Sequence, residues 1–259
     1  MTGAMIHFDN VTRSYGRKVA VAGLDLEISR GELFAFLGPN GAGKTTTIKM
    51  MVGLLRPSGG TVHVGGHDLV TDTREATRLI GYVPDEAFLY DKLTGREFLQ
   101  FVAEMRGMGP EQSAAEIARQ TGQFELDHFL DELTETYSHG MRQRLVFASA
   151  LLHNPPLLVV DEPMVGLDPK SVRLVKDLLR ARAAAGMTVF MSTHTLALAE
   201  EIADRIGIVD CGRLNFLGTL GELQEELSAH QKSLEQLFLE LTTGNGRPAE
   251  GRSGVKPPV

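Results

Sequence analysis

The sequence predicts an α/β fold: a parallel-sheet core, antiparallel β strands at the N-terminus and a helical subdomain inserted into the core. Three observations predict it. A strand-like run passes through a glycine-rich turn directly into a helix at 32–55; strand signals stop from about 86 to 152 while helical spacing continues; and short apolar runs then alternate with helix-like segments. A chain of 259 residues with 42% hydrophobic content can fill one large core with a subdomain, which excludes general disorder.

Taken in order, IHFDNV (6–11) alternates apolar and polar residues as a half-buried strand does, and a turn follows around Ser14 to Gly16. VAGLDLEI (21–28) and ELFAFLG (32–38) read as two more strands, the second apolar enough for burial on both faces. At Gly38 the period changes, and GPNGAGKTTTIKMMVGLL moves into a helix with apolar residues at Ile48, Met51, Val52 and Leu55. TGREFLQFVAEMRG (94–107) and EQSAAEIARQTGQF (111–124) have helical spacing. Strands resume at LLVVD (157–161), MTVFMS (187–192) and RIGIVD (205–210), separated by helix-like runs at 171–186 and 195–203. The α/β core is therefore assigned to 1–85 and 153–220, and the helical subdomain to 86–152. Residues 221–243 are charged and periodic, as one or two amphipathic helices would be, and 244–259 are rich in Gly, Pro and charge, the composition of a disordered tail.

Composition narrows the function. Net charge is −7, and the 26 basic residues are scattered rather than gathered in a stripe, so no nucleic-acid partner is expected. The single cysteine, Cys211, excludes an internal disulfide framework and reads as a small buried or half-buried residue. The start, MTGAMIHFDN, has no basic region followed by an apolar stretch, and no run approaches the ~18 apolar residues that cross a bilayer. A cytoplasmic chain is expected, with any membrane role exerted through a partner.

Gly38-Pro39-Asn40-Gly41-Ala42-Gly43-Lys44-Thr45 fits G-x-x-x-x-G-K-[ST], a strand-to-helix turn whose backbone N–H groups wrap a phosphate chain. Lys44 would reach the terminal phosphates and Thr45 would hold Mg²⁺. Leu157–Asp161 is an apolar strand ending in a carboxylate that suits the Mg²⁺ shell, and Glu162 follows where a general base would sit. Alone, that pair is an ordinary strand end; beside a phosphate loop it points to hydrolysis. His194 lies past the strand MTVFMS, either touching a γ-phosphate or serving as a plain strand-end residue. Tyr15 is either an adenine-stacking aromatic or a half-buried tyrosine. His63 and His67 have the spacing of a helical metal pair, but their segment reads as strand and turn, and no metal site is expected there.

In this order GPNGAGKTT, YSHGMRQRL, LLVVDEP, VGLDP and STH resemble the ATP-binding subunit of an ABC transporter, over about residues 5–242 and most closely the exporter-type ABC-2 group. The resemblance implies a P-loop NTPase (ABC ATPase) core that binds ATP and Mg²⁺. It implies an adenine-stacking role for Tyr15, a Walker A loop at Gly38 to Thr46, metal and catalytic acids at Asp161 and Glu162, a switch histidine at His194 and a subunit-joining acid at Asp168. It also implies a head-to-tail dimer with a second ATP-binding subunit, identical or paralogous, and a separate integral-membrane permease that places the chain at the inner face of the cell membrane. Competing readings are a soluble ABC ATPase acting on ribosomes or DNA and a regulatory subunit that binds ATP without hydrolysing it; Glu162 and His194 argue against the latter.

Two departures stand out. Asp85 replaces the usual Q-loop glutamine; it can still reach Mg²⁺ or its water, but adds negative charge beside the triphosphate. The usual LSGGQ signature appears as Tyr137-Ser138-His139-Gly140-Met141, keeping the Ser138 and Gly140 that in the family face the partner's γ-phosphate. Histidine is among the residues enriched at positive φ, so the loop is expected to keep its shape, and His139 is a candidate donor to the partner-bound nucleotide. The apolar Ala87-Phe88-Leu89-Tyr90 beside Asp85 is either a permease contact or core, in the case of Phe88 and Leu89.

Overall fold

The computed structural model describes residues 3–230. β1 (Ala4–Tyr15) and β2 (Lys18–Ser29) form an antiparallel hairpin. β3 (Leu33–Leu37) is buried at every residue, and the loop after it leads into α1 (Lys44–Met51). The helix stops at Met51, and the chain turns at Gly53, which has φ 77°, so Leu55 lies beyond it. β4 (Gly59–Val64) returns to pair with β1, and β5 (His67–Asp68) closes that sheet in the order β2-β1-β4-β5. α2 (Thr73–Arg78) and β6 (Ile80–Val83) follow; the sequence reading named neither.

Between β6 and the next strand lie α3 (Gly95–Met105), α4 (Pro110–Gln123) and α5 (His139–Leu151). Thr94 and Glu97 close a reciprocal capping box on α3. Then come β7 (Leu157–Val160), α6 (Pro169–Ala184), β8 (Thr188–Thr193), α7 (Leu196–Ile202), β9 (Arg205–Asp210), β10 (Arg213–Gly218) and α8 (Leu220–His230). The rest of the expected C-terminal helices, 231–243, and the tail, 244–259, lie outside the described residues.

The second sheet runs β10-β9-β3-β8-β7-β6, with β3, β6, β7, β8 and β9 mutually parallel and β10 antiparallel at one edge. Alternation explains its central position: Leu33, Ala35 and Leu37 of β3 pack toward the helical block, while Phe34 and Phe36 pack toward α1 and the antiparallel sheet. Burying each such phenylalanine contributes roughly 1.5–3 kcal/mol.

One correction concerns Cys211. It is exposed, at φ 47° in the two-residue turn between β9 and β10, so turn geometry rather than burial sets its environment. Besides the shared apolar core, Arg106 at the end of α3 and His153 after α5 tie their segments to the core strand β6. Arg106 donates to the carbonyls of Thr77 and Ile80, both at 3.2 Å, and His153 Nε2 donates to Ile80 O at 3.2 Å. Burial, with Arg106 nearby, pulls His153 down to about 4.

Candidate functional site

β3, β8 and β7 are parallel neighbours, so their C-terminal ends deliver three loops to one edge of the sheet. The loop after β3 opens α1 with Gly43 at φ 108° as N-cap, with no side-chain cap and no acid in the first turn. Such a helix start favours an anion. Lys44 is buried; its Nζ donates to Gly38 O at 2.6 Å and Pro39 O at 3.2 Å and stands 3.2 Å from Glu162 Oε1. With protons directed at the carbonyls, the contact to Glu162 is ionic without a hydrogen bond.

A cleft of ≈ 360 Å³ opens over this loop. Pro39, Asn40, Gly41, Gly43, Lys44, Thr45 and Thr46 line it, together with Tyr15, Asp85 and Glu162 from three other parts of the chain. Gly38 enters through its carbonyl, and Ala42 is buried in the back of the loop. Lys18 and Ala20 also line the cleft, which the sequence reading missed; the signal was that Lys18 sits directly across the hairpin from Tyr15. Tyr15 is 48% exposed at the rim of the cleft, with the Arg13 guanidinium 4.8 Å from its ring centroid.

Asp161 is fully buried at the end of β7. The Ser192 hydroxyl donates to its Oδ1 at 2.5 Å and accepts from the Glu162 N–H at 3.0 Å, so one β8 side chain holds both acids. Burial raises the Asp161 pKa above the usual carboxylate range, and the Ser192 and Thr45 hydroxyls pull against that rise. Its Oδ2 is buried without a hydrogen-bond partner among the described residues. A hard divalent cation takes oxygen ligands, and that orphaned oxygen with the Thr45 hydroxyl and the exposed Asp85 carboxylate make a donor set that fits Mg²⁺. Tyr82, pushed above its ordinary range by burial and then by Asp161 and Asp85, lies under the same acids.

Glu162 holds φ 47°, a conformation costing roughly 1–3 kcal/mol for a non-glycine residue and concentrated at functional sites. Its Oε2 is 2.9 Å from Nδ1 of His194, which is half exposed. His194 is thus a partner of the acid rather than an isolated strand-end residue.

Ser138 and Gly140 do not reach this cleft. Ser138 caps α5, its Oγ accepting from the Met141 N–H at 3.3 Å. His139 is the first helical residue and is not among the positive-φ positions, so the left-handed argument for it does not apply. Its Nε2 lies 3.1 Å from the Val165 carbonyl oxygen of its own chain, an acceptor other than a partner's nucleotide. Asp168 caps α6. Phe88 is 77% exposed while Leu89 is core, so the two residues separate between the two alternatives.

A lysine-bearing glycine loop between a central strand and a helix, facing two consecutive acids at the end of β7, one strand beyond β8, defines a nucleoside-triphosphate hydrolase of the P-loop class. The ABC transporter family profile matches residues 21–165. The daunorubicin/doxorubicin resistance ATP-binding protein DrrA of Streptomyces peucetius is 40% identical over 225 residues, covering 87% of this chain and 68% of the relative. The structure of an ATP-binding subunit of an ABC transporter superposes with TM-score 0.84 at 30% identity, over 92% of this chain and 99% of that one. A dimeric ATP-binding cassette in a post-hydrolysis state, bound to ADP and Pi, superposes with TM-score 0.76 at 27% identity, over 83% and 99%. The chain belongs to the ABC transporter family, and it is an ATP-hydrolysing subunit. Among the described residues no helix is long and apolar enough to cross a membrane.

Proposed function

We propose that this chain is the motor of an exporter: two cassettes close head to tail on ATP and drive a separate permease, which holds the chain at the inner face of the cell membrane. The observation that carries the reading is Glu162, whose carboxylate stands between Lys44 at 3.2 Å and His194 at 2.9 Å over the phosphate loop. A water at the γ-phosphorus gives its proton to Glu162 as the new P–O bond forms. The bond between the γ-phosphorus and the bridging oxygen then breaks, its electron pair leaving with ADP. His194 orients the carboxylate, Lys44 faces the terminal phosphates, and Tyr15 stacks on the base. Mg²⁺, held by Thr45, Asp161 and Asp85, would neutralise charge between the β- and γ-phosphates. Ser138 and Gly140 complete the partner's site. Residues 86–152 form the subdomain that carries them, and 1–85 with 153–220 form the core.

The permease contact falls on Phe88, Tyr90 and Phe101, exposed aromatics of which Tyr90 meets the other two edge-on at 5.8 and 5.5 Å. The drug-resistance relative supports transport over the ribosome- or DNA-directed alternative. Glu162→Gln should lower steady-state ATPase by on the order of 10²–10⁴-fold with ATP binding retained, the range for a lost general base. Unchanged turnover refutes the assignment, and unchanged turnover in Ser138→Arg refutes the two-cassette site.

A further inference from the structure

The histidine that departs from the usual signature has a specific place. Its Nε2 must carry the proton it shares with Val165, because a carbonyl only accepts. The ring rests on Gly166: a Cβ there would stand 3.1 Å from Nε2 and 3.3 Å from Cδ2, and Gly166 holds φ 73°. Gly140, one residue on, faces the far end of the same segment, where a Cβ would meet Ser171 Oγ at 3.8 Å and Asp168 Oδ2 at 4.0 Å. That end is fixed by Asp168, which accepts from the N–H groups of Lys170 and Ser171 at 2.9 and 3.1 Å and from the Ser171 hydroxyl at 2.6 Å. The near end is tied to Glu162, whose carbonyl accepts from Val165 N–H at 3.3 Å. From the first turn of α5 to the catalytic carboxylate the route is one side-chain hydrogen bond and one turn.

We propose that His139 is a positioning residue, a latch that makes the first turn of α5 and the Val165–Gly166 corner move together. Engagement of Ser138 and Gly140 in one catalytic site then shifts the turn that aims Glu162 in the chain's own site, coupling the two ATPs. A glycine at 139 has no side chain with which to make this contact. The coupling rests on the head-to-tail reading; the latch itself belongs to the single chain.

Two measurements test it, on wild type, His139→Gly and His139→Gln, since a glutamine side-chain N–H ends as many bonds from Cβ as Nε2 does. In hydrogen exchange of the chain without nucleotide, amides of 164–168 should exchange about 2- to 10-fold faster in His139→Gly, the range one neutral hydrogen bond commands, and recover in His139→Gln. Equal exchange in all three overturns the latch. In steady-state ATPase against ATP concentration, wild type and His139→Gln should be more steeply sigmoidal than His139→Gly. Identical curves overturn the coupling. Ser138→Arg separates the failures: if it turns over like wild type, the two-cassette reading and the coupling both fall, while exchange still decides the latch.

Discussion

Replacing Ser192 with alanine removes one buried hydroxyl and two hydrogen bonds at once. Ser192 and Asp161 are both fully buried, and the hydroxyl is donor to Asp161 Oδ1 and acceptor for Glu162 N–H. Losing a single oxygen opens little space, so the cost is that of stranding polar groups rather than of a cavity. A stranded amide costs ~1–3 kcal/mol and a hydrogen bond to a charged group contributes ~1.5–3 kcal/mol. The nearby Thr45 hydroxyl also favours the charged form of Asp161, which trims the second figure. The sum is a loss of about 2–4 kcal/mol, a large part of the ~5–15 kcal/mol that holds a typical domain folded. Urea unfolding followed by circular dichroism should show the midpoint lowered with the slope unchanged. ATPase should fall as well, because the same bond helps hold Glu162 at φ 47°. Ser149→Ala is the control: that hydroxyl donates only to Val146 O at 2.8 Å within α5, and its loss should cost no more than ~0.5 kcal/mol. Ser192→Ala within ~0.5 kcal/mol of wild type would refute the claim that this hydroxyl secures both acids.

Gly38→Ala places a Cβ 2.3 Å from Val209 O and 2.9 Å from Val209 Cγ1, and backbone cannot give way there, so ATP affinity in equilibrium binding should collapse with ~1–3 kcal/mol of stability; wild-type affinity would contradict it. Phe88→Asp should fold with an unchanged melting temperature yet lose the membrane protein that co-purifies with wild type; retention of that protein rules the patch out as the contact. His153 is depressed to about 4 from 6.5, first by burial. Between those values the unfolded chain binds a proton that the native one does not, so this stabilisation is full above pH 6.5 and is lost as pH falls toward 4, by ~3–4 kcal/mol at most. His153→Gln, able to keep the bond to Ile80, should flatten the pH dependence of the urea midpoint, and identical slopes in the two proteins would refute the assignment.

What was legible in the sequence was whatever local chemistry fixes. The phosphate loop could be read because glycine spacing, strand burial and helix period change together within a dozen residues, and all three act locally. The acids at Asp161 and Glu162 were legible because an apolar parallel strand ending in carboxylates has few other uses beside such a loop. β6 and β10 were missed because they are short edge strands whose pairing comes from tertiary neighbours: IGYV is a strand because β7 lies beside it. His139 was misjudged because the family pattern suggested a left-handed glycine position, whereas the Ser138 cap makes it the first residue of a helix. Ser192 was seen only as part of STH; that it joins two acids on the neighbouring strand is a fact of sheet register.

That register also explains why the departure at position 85 matters. β6 ends at Val83 beside Val160 of β7, so the residue two positions on is delivered to the cleft next to Asp161. Three carboxylates, Asp85, Asp161 and Glu162, then lie around Thr45 and Lys44, and the Lys44 ammonium is already shared among two carbonyls and Glu162. A glutamine at 85 would offer an amide oxygen one carbon farther from the backbone and without the charge. With aspartate, a polyphosphate approaching Lys44 meets more repulsion, which a divalent cation between the acids and the phosphates would reverse. In the proposed site the substitution would shift part of the work of holding ATP from the lysine and the backbone loop onto the cation, without altering the strand ends that set the geometry.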